Sequence, residues 1–161
     1  MTRFTQFMLV LLALIVVIVS LPVREVLACS PLPGYPNYTP ADRTMAAEVV
    51  LEGRVVEVTK TEGFEQVATV EVSRYFKKSD FITEEPTVVT IDHLGSDAMC
   101  LAWVNVDDHL IFYTKGDPTN ELRAHYLEPH DAVARPTREV INEIMHALLT
   151  EHDVYFPFLS K

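Results

Sequence analysis

Glu48–Thr59 reads EVVLEGRVVEVT, and this stretch decides the architecture. Its valines and its leucine, carried on a chain without proline, predict one long strand. Gly53 in the middle marks a bulge or a sharp bend, because a glycine inside a strand has no side chain to pack. A long first strand that must bend to serve both halves of a sheet points to a small closed barrel.

The segments downstream supply the other staves. After a Thr61-Glu62-Gly63 turn, Glu65–Phe76 (EQVATVEVSRYF) sets Ala68, Val70, Val72 and Phe76 on one face and Thr69, Glu71 and Ser73 on the other. That alternation is a half-buried antiparallel strand. Thr87–Asp92, His109–Thr114 and Arg123–Leu127 read as three more. Turn signals separate them at Glu85-Pro86, Leu94-Gly95-Ser96 and Lys115-Gly116-Asp117-Pro118. On the N-terminal side, Ala41–Ala47 predicts a short helix capped from Thr39. At the other end Pro136, read as the first helical residue, opens a helix. Val140, Ile141, Ile144, Met145, Leu148 and Leu149 form its apolar stripe. The expected fold is mainly β: a five-stranded OB-type Greek-key barrel with a short N-terminal helix and a C-terminal amphipathic helix.

The first 28 residues read as a leader rather than as fold. Arg3 supplies a positive start, Met8–Leu21 an apolar core, and Val26-Leu27-Ala28 a cleavage site with small residues at its two key positions. The expected organisation is a signal peptide over 1–28, the barrel over 29–130, and over 131–161 a helix and aromatic tail packed on the barrel. The mature chain then begins at Cys29, and the protein is secreted or extracytoplasmic. The alternative is a membrane-anchored lipoprotein acylated at Cys29. The charged Arg24-Glu25 pair and the large Leu27 before that cysteine argue against it. Cys29 and Cys100 are the only two cysteines, and in an exported chain such a pair most simply forms a disulfide. It would close about 70 residues of chain, for which loop entropy gives roughly 4 kcal/mol. Cys29-Ser30-Pro31-Leu32-Pro33 opens a stiff, extended, proline-rich segment.

Composition excludes several functions. The chain carries 13 basic against 23 acidic residues, so a phosphate backbone is repelled and no nucleic-acid partner is expected. Neither a nucleophile elbow, a zincin helix, a P-loop nor a dinucleotide glycine pattern occurs. The six histidines are scattered. His125 and His130 alone fall short of the roughly four ligands a structural zinc takes, and they read as surface or half-buried residues. Trp103 and Tyr113 read as core packing near the disulfide. No enzyme activity, cofactor or resident metal is expected.

One set of features goes further: the Cys-Ser-Pro start, the AEVVLEGRVV and ATVEV strands, the Gly95-Ser-Asp-Ala-Met-Cys100 loop, and Asp107-Asp-His-Leu-Ile-Phe-Tyr113. In that order, over about 100 residues, the chain resembles the netrin-like OB-fold domain of the tissue inhibitors of metalloproteinases, particularly their bacterial relatives. The resemblance implies a zinc metalloprotease as partner. The α-amino nitrogen and carbonyl oxygen of Cys29 would chelate the target's catalytic zinc. Ser30 would enter the primary specificity pocket, with Pro31 behind it. Ser96, Asp97, Ala98 and Met99, held alongside by a Cys29–Cys100 bond, would make the flanking contact. The chain departs from the family in having Pro31 where a second N-terminal cysteine is usual, and no cysteine after Cys100. The rival expectation is a non-catalytic extracellular or cell-surface binding module, with Cys29 as a lipid anchor.

Overall fold

A computed structural model describes residues 37–61, 65–78, 84–95, 100–128 and 131–153, with side chains up to residue 150. The leader, Cys29 and the aromatic tail lie outside this set. The elements are α1 (Pro40–Ala46), β1 (Val49–Lys60), β2 (Gln66–Lys77), β3 (Val88–Leu94), β4 (His109–Asp117), β5 (Glu121–Ala124), β6 (Val133–Ala134) and α2 (Arg138–Asp153). Along the sheet β1 neighbours β2, then come β3, β5 and β4, and β4 returns to β1. Every pairing in this ring is antiparallel except β3 with β5. Five strands therefore close into the expected OB-type barrel. The two-residue β6, too short to show a period in sequence, adds to β4 through Ile111↔Ala134 and Phe112↔Val133.

β1 does bend at Gly53. From Val49 to Arg54 it pairs with β4, and from Val50 to Lys60 with β2; the β2 register slips between Glu52 and Gly53. A Cβ on Gly53 would lie 2.5 Å from a Val70 methyl and 2.6 Å from the Glu71 carbonyl oxygen, so the approach of β2 requires glycine.

Both faces of the first half of β1 are covered, which is why EVVLEG reads as a continuous apolar run. Val49 and Leu51 point into the barrel with Val70, Ile91, Phe112 and Leu122. Val50 points outward and packs with Ile111, Tyr113 and Ile144 of α2. The alternation expected for β2 holds only as far as Val72. Gly53 pairs with Val72 and Glu52 with Arg74, which leaves Ser73 as an extra residue. One extra residue inverts the parity of all that follows. Tyr75 consequently packs with the barrel core and Phe76, expected on the face of Val72, packs outside against α2.

The helices correct two details. Thr39 caps α1 with a capping box completed by Asp42, as expected, but Pro40 already belongs to the helix. In α2 the cap is Thr137, whose hydroxyl accepts from the Val140 N–H at 3.3 Å and whose carbonyl accepts from the Ile141 N–H at 3.0 Å. Pro136 is thus one residue before the cap instead of the first helical residue. The apolar stripe is also narrower than its sequence. Ile144 and Ala147 are buried, whereas Met145 is 45% and Leu149 62% exposed, since the helix rests on the small outer cluster alone.

Candidate functional site: the root of the 96–99 loop

The flanking loop expected to carry Ser96, Asp97, Ala98 and Met99 lies outside the described residues, as do Cys29, Ser30 and Pro31. Its two stems are described, and they are held with unusual completeness. β3 ends in a run that normal residues avoid: His93 has φ 60° and Gly95 φ 61°, and across the loop Cys100 has φ 58°. The Gly95 N–H donates to the Ala102 carbonyl at 2.7 Å and closes the root.

Two side chains that the sequence reading passed over secure this root. Gln66, 3% exposed, donates through Nε2 to the Val104 carbonyl (3.1 Å) and accepts through Oε1 from the Val104 N–H (3.0 Å). Its amide thus stands in for a peptide group and pairs with 104 as a neighbouring strand would. A signal for it was present: Gln66 precedes Ala68 and Val70 at the inward parity of β2, where a polar residue must find a buried partner. Gly95 packs against the same side chain, with its pseudo-Cβ position only 2.1 Å from Gln66 Oε1. Tyr126 supplies the second tie. Its hydroxyl accepts from the Ala102 N–H (3.1 Å) and donates to the His93 carbonyl (3.0 Å), so it bridges both stems. Burial, foremost among several influences, pushes the Tyr126 phenol up to about 12, and it stays protonated as a donor throughout the physiological range.

The chain that leads back toward the mature N-terminus is fixed nearby. The Tyr38 carbonyl accepts from Arg43 at 3.1 Å. Arg43 in turn sits 3.4 Å from Glu128 and 3.6 Å from Asp131. The Asp131 carboxylate also accepts from the N–H groups of Leu127 and Glu128, the residues that follow Tyr126. Burial raises the Asp131 carboxyl above its ordinary range, with those N–H groups and Arg43 opposing the shift. Residue 38 is therefore pinned to the turn adjoining the loop root. The nine peptide units between Cys29 and Tyr38 can span about 30 Å when extended, ample for the first residue to reach the loop.

Among the described residues no cysteine is free, and Cys100 does not titrate as a thiol. The other end of the expected Cys29–Cys100 pair lies outside them. The described residues contain no cluster of three metal-ligating side chains. His125 is half-buried, with its pKa lowered first by desolvation and then by Lys115; His130 lies outside. Tyr113 is core, as expected, but Trp103 is not. It is 41% exposed with the Lys60 ammonium 5.5 Å from its ring, and Val106 (53%) and Val56 (39%) are exposed on the same side of β1. The backbone explains this: Gln66 fixes Val104 inward, so Trp103 must point out. On another side of the barrel, a shallow depression of about 420 Å³ is lined by Arg54, Glu71, Val72, Ser73 and His109. Its ions are already paired, Arg54 with Glu71 and His109 with Glu52.

A closed barrel of this strand order, with a bent first strand and a clamped third-strand loop, has a match among known families. Residues 41–127 correspond to the Agrin NtA domain. The chain belongs to that family. No curated protein matches it. The NtA domain has the netrin-like type of fold, related to that of the tissue inhibitors of metalloproteinases, and serves as an extracellular interaction module. The matched segment starts in α1 and ends just beyond Tyr126, so it contains the whole clamped root.

Proposed function

We propose that this netrin-like protein is exported and inhibits a zinc metalloprotease in the manner of the tissue inhibitors. The observation that supports this reading is the fixation of both stems of the 96–99 loop, ending at Cys100, beside the turn that anchors residue 38. In the proposal the leader 1–28 is removed and Cys29 bonds to Cys100. The new α-amino group then lies at the edge of a rigid loop. An α-amine with an ordinary pKa of about 7.7 to 8 is easily deprotonated near neutral pH, and a metal lowers the cost further. Its nitrogen and the Cys29 carbonyl oxygen would displace the water of a catalytic zinc, whose open position can accommodate them. Ser30, Pro31 and Ser96 to Met99 would form the rest of the wedge. Such a wedge gains affinity because its ordering is complete before association.

The test compares mature, oxidised protein beginning at Cys29 with a form carrying one extra alanine, against a panel of zinc proteases. Inhibition by the first and not the second supports chelation by the amine, and equal inhibition by both refutes it. A second reading has its own support. The exposed Trp103, Val106 and Val56 together with the NtA match favour a binding module that needs no free amine, with Cys29 acylated as its anchor. Mass spectrometry of the native N-terminus separates the two, since an acylated amine cannot chelate zinc.

A further inference from the structure

His93 stands at the loop root in a position where one atom is asked to do two incompatible things. Its Nδ1 is 3.3 Å from Glu65 Oε2 and 3.3 Å from an Arg123 terminal nitrogen. Towards the carboxylate, Nδ1 must carry a proton and donate. Towards the guanidinium, which only donates, Nδ1 must be bare and accept. It cannot satisfy both. We infer that His93 is a proton-operated selector at the root of the 96–99 loop, holding Glu65 when Nδ1 is protonated and Arg123 when it is not.

The two partners lie on different parts of the fold. Glu65 lies at the end of the β1–β2 connection, and Arg123 is in β5, where it is the register partner of Asp92 in β3. Tyr126 faces the imidazole edge-on at 5.8 Å between ring centroids. Among the described residues, Glu65, Arg123, Tyr126 and the adjacent Asp92 are the titratable or charged groups around His93. The phenol does not ionise in the range concerned, so the choice is between one anion and one cation. An imidazolium must hold Glu65, and it repels Arg123. A neutral ring with its proton on Nε2 holds Arg123 and turns a lone pair to Glu65. Acidification therefore moves the root of the loop from β5 to the β1–β2 connection. Histidine is the side chain that makes such a change between pH 5 and 8.

The change reaches the loop through short covalent and hydrogen-bonded paths. His93 is held at φ 60°, two residues before Gly95, and its carbonyl receives the Tyr126 hydroxyl that also ties down the Ala102 N–H. A partner seated on this edge would thus be bound with a pH dependence that the target need not supply. That regulatory meaning rests on the reading of the loop as the binding edge, whereas the selector itself does not.

The experiment uses the free, isotopically labelled mature protein, with the His93 ring and the amides of Gly95 and Ala102 followed by NMR from pH 5 to 8. His93→Asn, which tolerates a positive φ, identifies the ring signals among the six histidines. The expected result is that both amides move with the midpoint of the ring. Arg123→Gln should raise that midpoint, and Glu65→Gln should lower it, each by about 0.5 pH unit or more. Ring nitrogen shifts should report the Nε2–H tautomer at pH 8 in the wild type, and less of it in Arg123→Gln. Equal midpoints in both variants, or amides silent through the titration, overturn the inference. Both variants alter side chains at the protein surface and keep their size, and Arg123→Lys and Glu65→Asp serve in their place if either fails to fold. As no protease is present, this result is independent of the outcome of the inhibition assay.

Discussion

Replacing Gln66 by leucine removes both bonds to residue 104 while nearly preserving volume. Val104 is fully buried, so its N–H and carbonyl would be left without water or protein partners. An orphaned buried polar group costs about 1 to 3 kcal/mol, and two of them in one strand-like pair should cost about 2 to 4 kcal/mol after the added leucine burial is allowed for. With a urea slope of about 1 to 3 kcal/mol per molar, the unfolding midpoint should fall by about 1 to 2 M, at unchanged slope. Native-state hydrogen exchange should show the loss at Val104 and Gly95 before β1 and β4 are affected. Gln66→Glu offers an internal check. It can still accept from the Val104 N–H but, when ionised, has nothing to donate to the carbonyl. Its deficit should therefore shrink as the pH is lowered and the carboxyl becomes protonated. A loss below about 0.5 kcal/mol for Gln66→Leu, with Val104 protection intact, would refute the claim that this amide holds the loop root.

Three further outcomes are expected. Gly95→Ala places a methyl at φ 61° and against the Gln66 amide, and should lower stability by about 1 to 3 kcal/mol, read by urea unfolding, with exchange rising first at Ala102. Tyr126→Phe removes the bridge between His93 and Ala102 and should cost about 1 to 2 kcal/mol in the same measurement while leaving the α2 amides unchanged. His125 has a depressed native pKa, so its contribution to stability is complete above its unfolded value of about 6.5 and declines as pH falls below that value. In thermal melts from pH 7.5 to 5, His125→Gln should flatten this part of the curve.

Much of the barrel could be read from residue order because local signals and tertiary packing agree there. The apolar run at Glu48–Thr59 with one glycine announced a bent strand, and the structure closes the sheet at that bend. Thr39 and Asp42 announced a cap, and they form it. The failures share a cause, namely an interaction distant in sequence. Phe76 looked like a partner of Val72 until the bulge at Ser73 reversed the faces. Trp103 looked like core because it is aromatic and close to Cys100, whereas a glutamine 37 positions earlier dictates its outward direction. Tyr126 could not be found at all, for nothing in its neighbourhood says that its hydroxyl will meet two stems of a loop. The candidate site was legible as a place, the loop ending at Cys100, but not as a mechanism of support.

The extra residue in β2 also carries a message for anyone comparing relatives of this chain. Ser73 is exposed and unpaired in the register, so its side chain is free to drift among many types at little cost. Its presence is another matter. Deleting it would restore uninterrupted alternation, turn Tyr75 out of the barrel and drive Phe76 into it, and detach the sheet from α2 in the same stroke. Position 73 should therefore behave as a spacer under selection, permissive in letter and strict in length. Aligned homologues are expected to substitute there often, yet to show gaps only in the flanking turns.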